Sequence, residues 1–269
     1  MLPTPSTSHV AFERVYEPAE DSFLFLDTLS STDEKHFLQK RFTTTAGSKI
    51  SVNDSTSPLV VEIGTGSGIV LSFLHAHAEQ ILGRSDVLTV GVDVNCFACK
   101  ATQQTVHVAE KQQLTQGISH GFYLGNIVGD LTGPLKYGEV DVLIFNPPYV
   151  PTLEVPALPT EGTNSNRSYE DDSHLLSLSY AGGADGMETT DRLLGELPGI
   201  LNSDRGCAYI LLCVRNKPDR VKARVKSWGN GWMVETVANS GKRGGWEKLQ
   251  IIRIWREPLS LIPQKRDTM

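Results

Sequence analysis

The sequence predicts an α/β fold in one domain: a mostly parallel, seven-stranded sheet with an antiparallel edge hairpin and an N-terminal helical extension. Three observations predict it. Short apolar runs alternate with helical stretches from residue 59 to residue 228, the pattern that right-handed crossovers impose on a parallel sheet. No helical stretch separates the last two apolar runs, so they pair as a hairpin and make that edge antiparallel. The 269 residues contain no internal repeat and no second core, which fits one domain, 1–269.

In chain order, residues 1–14 read as a flexible Pro/Ser/Thr-bearing arm. Glu20–Phe42, with Phe23, Leu24, Leu26 and Leu29, reads as the helical extension. Thr43–Pro58 is polar, rich in Ser and Thr and aperiodic, and reads as a mobile insertion, 43–58. Leu59–Ile63 is a buried strand ended by glycines and followed by a helix over Ser67–Gln80. Val87–Val92 and Asn95–Gln113 repeat that unit. Phe122–Leu124 and Val140–Phe145 are two more strands, separated by the turn region Gly129–Gly138. Met187–Leu201 is helical, Cys207–Val214 a strand and Pro218–Trp228 a helix. Trp232–Ala238 and Leu249–Trp255 form the closing pair, and 257–269 is a tail.

With 39% hydrophobic and 21% charged residues, the chain has enough apolar surface to fold without disulfides or metals. Its longest apolar runs, such as Ile210–Val214, fall far short of the roughly 18 residues that span a bilayer. The opening residues lack the basic-then-apolar order of a signal peptide. Four cysteines make no disulfide framework and point to a reducing compartment. A soluble enzyme is expected, in the cytoplasm and with the nucleus as a second compartment. The net charge is −6, unevenly spread: residues 1–214 carry 12 basic and 26 acidic side chains, residues 215–269 carry 13 and 5. The basic segment is either a surface for an anionic partner or the solvated face of a helix, since Val221, Val225 and Trp228 repeat at helical spacing within it.

Three motifs carry chemistry. Glu62-Ile63-Gly64-Thr65-Gly66-Ser67-Gly68 places glycines directly after the first strand, where the backbone must turn sharply and can approach a ligand. The G-x-G-x-G spacing departs from that of a pyrophosphate loop, and Glu62 is a poor neighbour for phosphate. A cationic or amine-bearing ligand fits better, and S-adenosylmethionine carries both a sulfonium and an α-amino group. A tight turn alone would also account for the glycines. Gly91-Val92-Asp93 ends the second strand with an acid where folds of this kind bind ribose hydroxyls. Asn146-Pro147-Pro148-Tyr149 emerges at the carboxyl end of the fourth strand. There the Asn146 side-chain carbonyl and the free backbone carbonyl of Pro147 offer two adjacent acceptors for an –NH₂ group. Tyr149 can lie over a flat conjugated group.

These residues resemble the amino-methyltransferases with an N-P-P-Y signature in the class I S-adenosylmethionine-dependent, Rossmann-like fold. The sequence is most similar to the eukaryotic and archaeal HemK-related branch, which methylates the glutamine side-chain amide in the GGQ motif of class I release factors. The resemblance rests on Val15-Tyr16-Glu17-Pro18-Ala19-Glu20-Asp21-Ser22-Phe23, the Glu62–Gly68 loop, Asp93, the Phe145–Val150 stretch, Ala181-Gly182-Gly183 and Asp185-Gly186-Met187. It implies cofactor contacts from Ser22, Glu62, Gly64, Gly66, Asp93, Asp130, Leu131 and Asn146, with Asn126 as a second candidate for the adenine contact. It implies catalytic roles for Asn146, Pro147 and Tyr149. It also implies a heterodimer with a small zinc-binding activator subunit shared by translation-related methyltransferases, docked on an exposed sheet edge near Gly121–Gly125. The release factor would be bound together with its GTPase partner. Tyr180, where relatives place tryptophan, and Cys96, where proline is usual, depart from the pattern.

Other chemistries find less support. Cys96-Phe97-Ala98-Cys99 lacks a second C-x-x-C, and the seven histidines are scattered, so no metal is expected. Methylation of an exocyclic amine on nucleic acid is the alternative, kept open by the basic segment. Lysine methylation stands as a secondary activity.

Overall fold

A computed structural model describes residues 2–43, 56–158, 169–241 and 248–257. Most of the expected insertion and of the C-terminal tail lies outside these. The helices are α1 (Glu20–Ser30), α2 (Thr32–Phe42), α3 (Ile69–Ala76), α4 (Ala78–Leu82), α5 (Cys96–Thr115), α6 (Tyr169–Tyr180), α7 (Glu188–Ile200) and α8 (Pro218–Ser227). The strands are β1 (Leu59–Ile63), β2 (Leu88–Asp93), β3 (Phe122–Val128), β4 (Val142–Phe145), β5 (Cys207–Cys213), β6 (Trp232–Asn239) and β7 (Leu249–Arg256). They form one seven-stranded sheet in the order β3-β2-β1-β4-β5-β7-β6. The first five strands are mutually parallel, while β7 runs antiparallel to both β5 and β6.

The central strands read as unbroken apolar runs because both faces of the sheet are covered. Successive side chains point to opposite faces. Val60, Val142, Ile144, Tyr209 and Ile251 therefore join one core with Phe25, Leu29 and Leu38. Their neighbours Val61, Leu143, Phe145, Ile210 and Ile252 join the other with Leu193 and Leu197.

Three sequence expectations are corrected. The helix expected over Glu20–Phe42 is two helices, broken at Ser31, which is extended (φ −64°, ψ 151°) and accepts from the Glu34 N–H. Ser31-Thr32-Asp33-Glu34 has the S-x-x-E spacing of a helix start, a signal the periodicity masked. The helix expected over Ser67–Gln80 breaks at His77. The arm expected to be flexible is packed over residues 2–14: Val10, with Val15 just beyond it, is buried against Ala98 and Ala101 of α5, and the Pro3 carbonyl accepts from the His77 ring at 2.8 Å. No helix among the described residues is long and apolar enough to cross a membrane.

A buried charge cluster fastens the helical extension to the sheet. Glu34 on α2 accepts two 2.6 Å bonds from Arg253 of β7 and one of 2.7 Å from the Tyr209 hydroxyl of β5. The Arg253 guanidinium lies 3.6 Å from the Phe37 ring centroid. At the opposite side, β3 is an edge with Phe122, Leu124 and Val128 each close to 60% exposed, an apolar edge of the kind that invites pairing.

Removing one member of a buried ion pair strands the other charge and costs about 3–5 kcal/mol. Arg253→Met should therefore lower thermal stability sharply, read as a fall in Tm. An unchanged Tm would show that Glu34 finds compensation elsewhere.

Candidate active site

The sheet register assembles the site. Ile63 of β1 stands opposite Val92 of β2 on one side and Phe145 of β4 on the other. The next residue on each strand is Gly64, Asp93 or Asn146, so all three leave the carboxyl end of the sheet together. They border a cavity of about 460 Å³. Gly68, the residue before α3, has φ +78°, and a Cβ there would lie 2.5 Å from the Thr102 Cα of α5. Only glycine lets the loop turn that close to the neighbouring helix.

Of the expected cofactor contacts, Ser22, Glu62, Gly64, Gly66, Asp93, Asp130, Leu131 and Asn146 all line this cavity. Glu62 is buried and accepts from the Leu71 N–H at 2.9 Å. Burial pushes its carboxyl well above the usual range; the Leu71 bond works against this, and the charge of Asp93 adds to it. Asp93 accepts from the Gly66 N–H (3.0 Å) at one oxygen and the Asn95 N–H (2.8 Å) at the other. Burial raises its carboxyl, against those two bonds and contacts from the Thr65 hydroxyl and backbone. A carboxylate has about four acceptor sites, so a ribose hydroxyl would share its oxygens with these donors. Asp130 pairs with Arg192, also on the wall. Asn126 does not line the cavity: its amide donates to the Cys99 carbonyl at 2.6 Å.

Within the N-P-P-Y segment, Asn146 and Pro148 are on the wall, whereas Pro147 and Tyr149 are not. The Asn146 Oδ1 is buried with no hydrogen-bond partner among the described residues. Tyr149, expected to lie over the reacting group, packs instead against the core formed with Phe25 and Val142. An apolar core contact outcompetes the open cavity for its ring.

A second segment holds this loop in place, which gives the Ala181–Gly183 and Asp185–Met187 blocks a physical role. The Gly182 N–H donates to the Val150 carbonyl and the Val150 N–H to that of Tyr180. Gly186 has φ +69°, and a Cβ there would lie 2.0 Å from the Tyr149 carbonyl oxygen. Asn216 ties both segments together: its amide donates to the carbonyls of Tyr149 (3.0 Å), Asp185 (2.9 Å) and Gly186 (3.2 Å). Sequence reasoning missed Asn216, which belongs to no motif. It also missed the roof, where Val155, Pro156, Leu158, Leu175 and Leu178 add apolar wall, and Arg14, which binds Asp172 of α6 at 2.8 Å.

At the end of such a sheet, buried carboxylates in place of a phosphate cradle suit a ligand bringing a cationic group and a ribose. The fold and site thus define a class I S-adenosylmethionine-dependent methyltransferase. No family model matches the chain. It is 32% identical over 259 residues to the eRF1 methyltransferase catalytic subunit mtq2 of Schizosaccharomyces pombe, covering 95% of this chain and 96% of that protein. It is 30% identical to Methyltransferase HEMK2 of Homo sapiens, over 93% and 95% of the two chains. The solved Mtq2-Trm112 complex of E. cuniculi shares the fold, with a TM-score of 0.50 and 20% identity over 91% of this chain and 99% of that one. The chain belongs to the HemK-related methyltransferase family that includes the first two proteins, and its cofactor is S-adenosylmethionine.

The wall fits that cofactor, with two carboxylates carrying spare acceptors and an apolar roof. Asp93→Ala should weaken S-adenosylmethionine binding on the order of tenfold or more, since each charge-assisted bond contributes about 1.5–3 kcal/mol. Calorimetry on the folded variant measures it, and unchanged affinity would remove Asp93 from the ribose site. A cation beside Glu62 favours the charged carboxylate, so its raised pKa falls on binding and protons are released. Affinity should therefore rise with pH until Glu62 is ionised in the free chain.

Proposed function

We propose that the chain methylates the side-chain amide nitrogen of the glutamine in the GGQ motif of the eukaryotic class I release factor. The observation that carries this reading is the buried, unpartnered Asn146 Oδ1 on the cavity wall. A side-chain amide presents two N–H donors, and a buried acceptor without a partner costs about 1–3 kcal/mol until a donor arrives. The names of the relatives point the same way, one being an eRF1 methyltransferase subunit.

A planar amide nitrogen is a poor nucleophile because its lone pair is delocalised into the carbonyl. Bound S-adenosylmethionine supplies an electrophilic methyl group. Asn146 Oδ1 accepts one substrate N–H. The carbonyl of Pro147, on the peptide bond to the wall residue Pro148, accepts the other. Together they fix the nitrogen's approach, and such placement can remove several kcal/mol of the barrier, on the order of the ~7–11 available to orientation. The roof of Val155, Leu158, Leu175 and Leu178 covers the cofactor side with apolar surface, and as the nitrogen takes the methyl group from the sulfonium its surplus proton would pass to solvent at the cavity mouth. Tyr149 acts by anchoring the loop through its core packing.

The active form is a heterodimer with a small activator subunit that binds zinc, docked on the apolar edge of β3. The substrate is the release factor with its GTPase partner bound, in the cytoplasm. Nucleic acid is the weaker alternative: three basic side chains of the C-terminal segment already have acidic partners, Lys217 with Asp185, Lys222 with Asp219 and Arg224 with Asp191.

Asn146→Ala should lower kcat about a hundredfold or more, a far larger effect than that on cofactor affinity. Asn146→Asp should also be strongly impaired, because the added charge alters the acceptor pair. The assay uses the chain co-expressed with the activator, labelled S-adenosylmethionine, and release factor with or without its GGQ glutamine. Near-full transfer by either variant would overturn the role of Asn146, and equal labelling without that glutamine would overturn the substrate. Co-expression should also raise the soluble yield, and a monodisperse, fully active lone chain would count against the heterodimer.

A further inference from the structure

At the opposite end of β3 from the cavity lies a cluster that the methyl-transfer site does not use. His75, near the end of α3, is fully buried, and Glu110 of α5 and His120, just ahead of β3, converge on it. The nearest ligand-type atoms of the three residues all lie within 4.8 Å of one another, the one such group among the described residues. His75 Nε2 is 3.2 Å from Glu110 Oε1, and the His75 and His120 rings are 5.3 Å apart. Bonds of ~2.0–2.1 Å to a tetrahedral cation would set its ligand atoms roughly 3.3 Å apart. Ligand atoms at the wide end of that spacing must draw in by about 1.5 Å to close on the cation.

The outer contacts orient both rings for this. His120 Nδ1 is 2.8 Å from the Gly121 carbonyl, which can only accept, so Nδ1 carries the proton and Nε2 keeps its lone pair. His75 Nδ1 is 3.0 Å from the Thr89 hydroxyl, which is itself 3.5 Å from the Phe122 carbonyl. When that hydroxyl donates to Phe122, His75 Nδ1–H donates to it, and the Nε2 lone pair faces the Glu110 carboxylate. Metal-ligating histidines typically donate their second ring nitrogen in this way. In that tautomer two acceptors face each other at 3.2 Å and need a proton or a cation between them; in the other, Nε2–H donates to Glu110 and an incoming cation displaces that proton. Gly121 allows the close approach, since a Cβ there would lie 2.8 Å from the Val87 carbonyl and 3.3 Å from His75 Nδ1.

We propose that His75, Glu110 and His120 bind a divalent transition-metal cation of the zinc class, with a fourth position open to solvent. Two imidazoles and one carboxylate suit zinc, cobalt or nickel better than calcium or magnesium, which take oxygen ligands. The cation ties α3, α5 and the lead-in to β3 into one corner, directly beneath the exposed edge strand.

The test uses the full chain, in complex with its activator, stripped with chelator and then titrated with Zn²⁺ and with Co²⁺. Glu110→Gln combined with His120→Ala leaves the buried His75 in place and should fold, and His107→Ala is the control. Metal content is read as the difference between wild type and variant, so any ion held by the activator cancels. Wild type and His107→Ala should bind one equivalent more than the double variant and show the visible absorption of tetrahedral Co²⁺. Zinc affinity at this site should fall more than about a hundredfold in the double variant, since loss of even an outer-shell partner costs roughly 10–100-fold. Equal metal content and identical Co²⁺ spectra in wild type and double variant would overturn the proposal.

Discussion

The register of β1 between β2 and β4 is the constraint on which the rest of the site depends. Because Ile63 is level with both Val92 and Phe145, the glycine loop, the ribose-type acid and Asn146 begin on one line. None of the three needs to reach. Slipping either pairing by one residue would turn the core-facing side chains of that strand to the opposite face, so the packing of both cores enforces the alignment the chemistry uses. Glu62 shows what that precision permits. It sits 2% exposed in an otherwise apolar strand, tolerable because the Leu71 N–H and the cavity take its oxygens. A buried carboxyl with a raised pKa disfavours the empty chain in its charged state and favours a bound cation.

The N-P-P-Y loop is held by what it cannot do. Two prolines donate no N–H, so the loop cannot knit itself into a sheet or a helix. Its carbonyls are instead taken from outside: Asn216 donates to Tyr149, and the Gly182 N–H to the Val150 carbonyl. Gly186 must be glycine because the Tyr149 carbonyl occupies the space of its side chain. The N-P-P-Y loop is thus held by a segment more than thirty residues further on and by an asparagine further still.

That distance explains what the sequence could and could not disclose. Strands buried on both faces announce themselves as continuous apolar runs, and glycines after a strand or Asn-Pro-Pro-Tyr after another are local signals. All seven strands, the Glu62–Gly68 loop, Asp93 and Asn146 were therefore legible, whereas Ser22, Asp130 and Leu131 came only from the family resemblance. Asn216 was not, because a side chain bonding backbone 30, 31 and 67 residues away leaves no pattern in its own neighbourhood. The roof was missed for a related reason. Its wall comes from Val155–Leu158 and from α6, whose Leu175, Leu176 and Leu178 are too few for a periodic face. Tyr149 was misread because its residue type allowed stacking over a ligand or packing into a core, and only the three-dimensional neighbourhood decides between them.

The edge strand and the cavity form one mechanical unit. β3 ends at Val128, and the next three residues, Gly129, Asp130 and Leu131, are cavity wall. Leu131 has φ +48°, a left-handed conformation that a leucine holds only when its surroundings fix it. Here burial in the second core and the Asp130–Arg192 pair do so. β3 is held by one neighbour alone, β2, which itself carries Asp93. The exposed edge is therefore joined to the cavity wall twice, through β2 and through the Gly129–Leu131 turn. Covering Phe122, Leu124 and Val128 would brace both connections without touching a single cavity residue. An edge that is apolar and next to the cofactor wall gives a partner a physical route to raise activity, one that needs no contact with substrate.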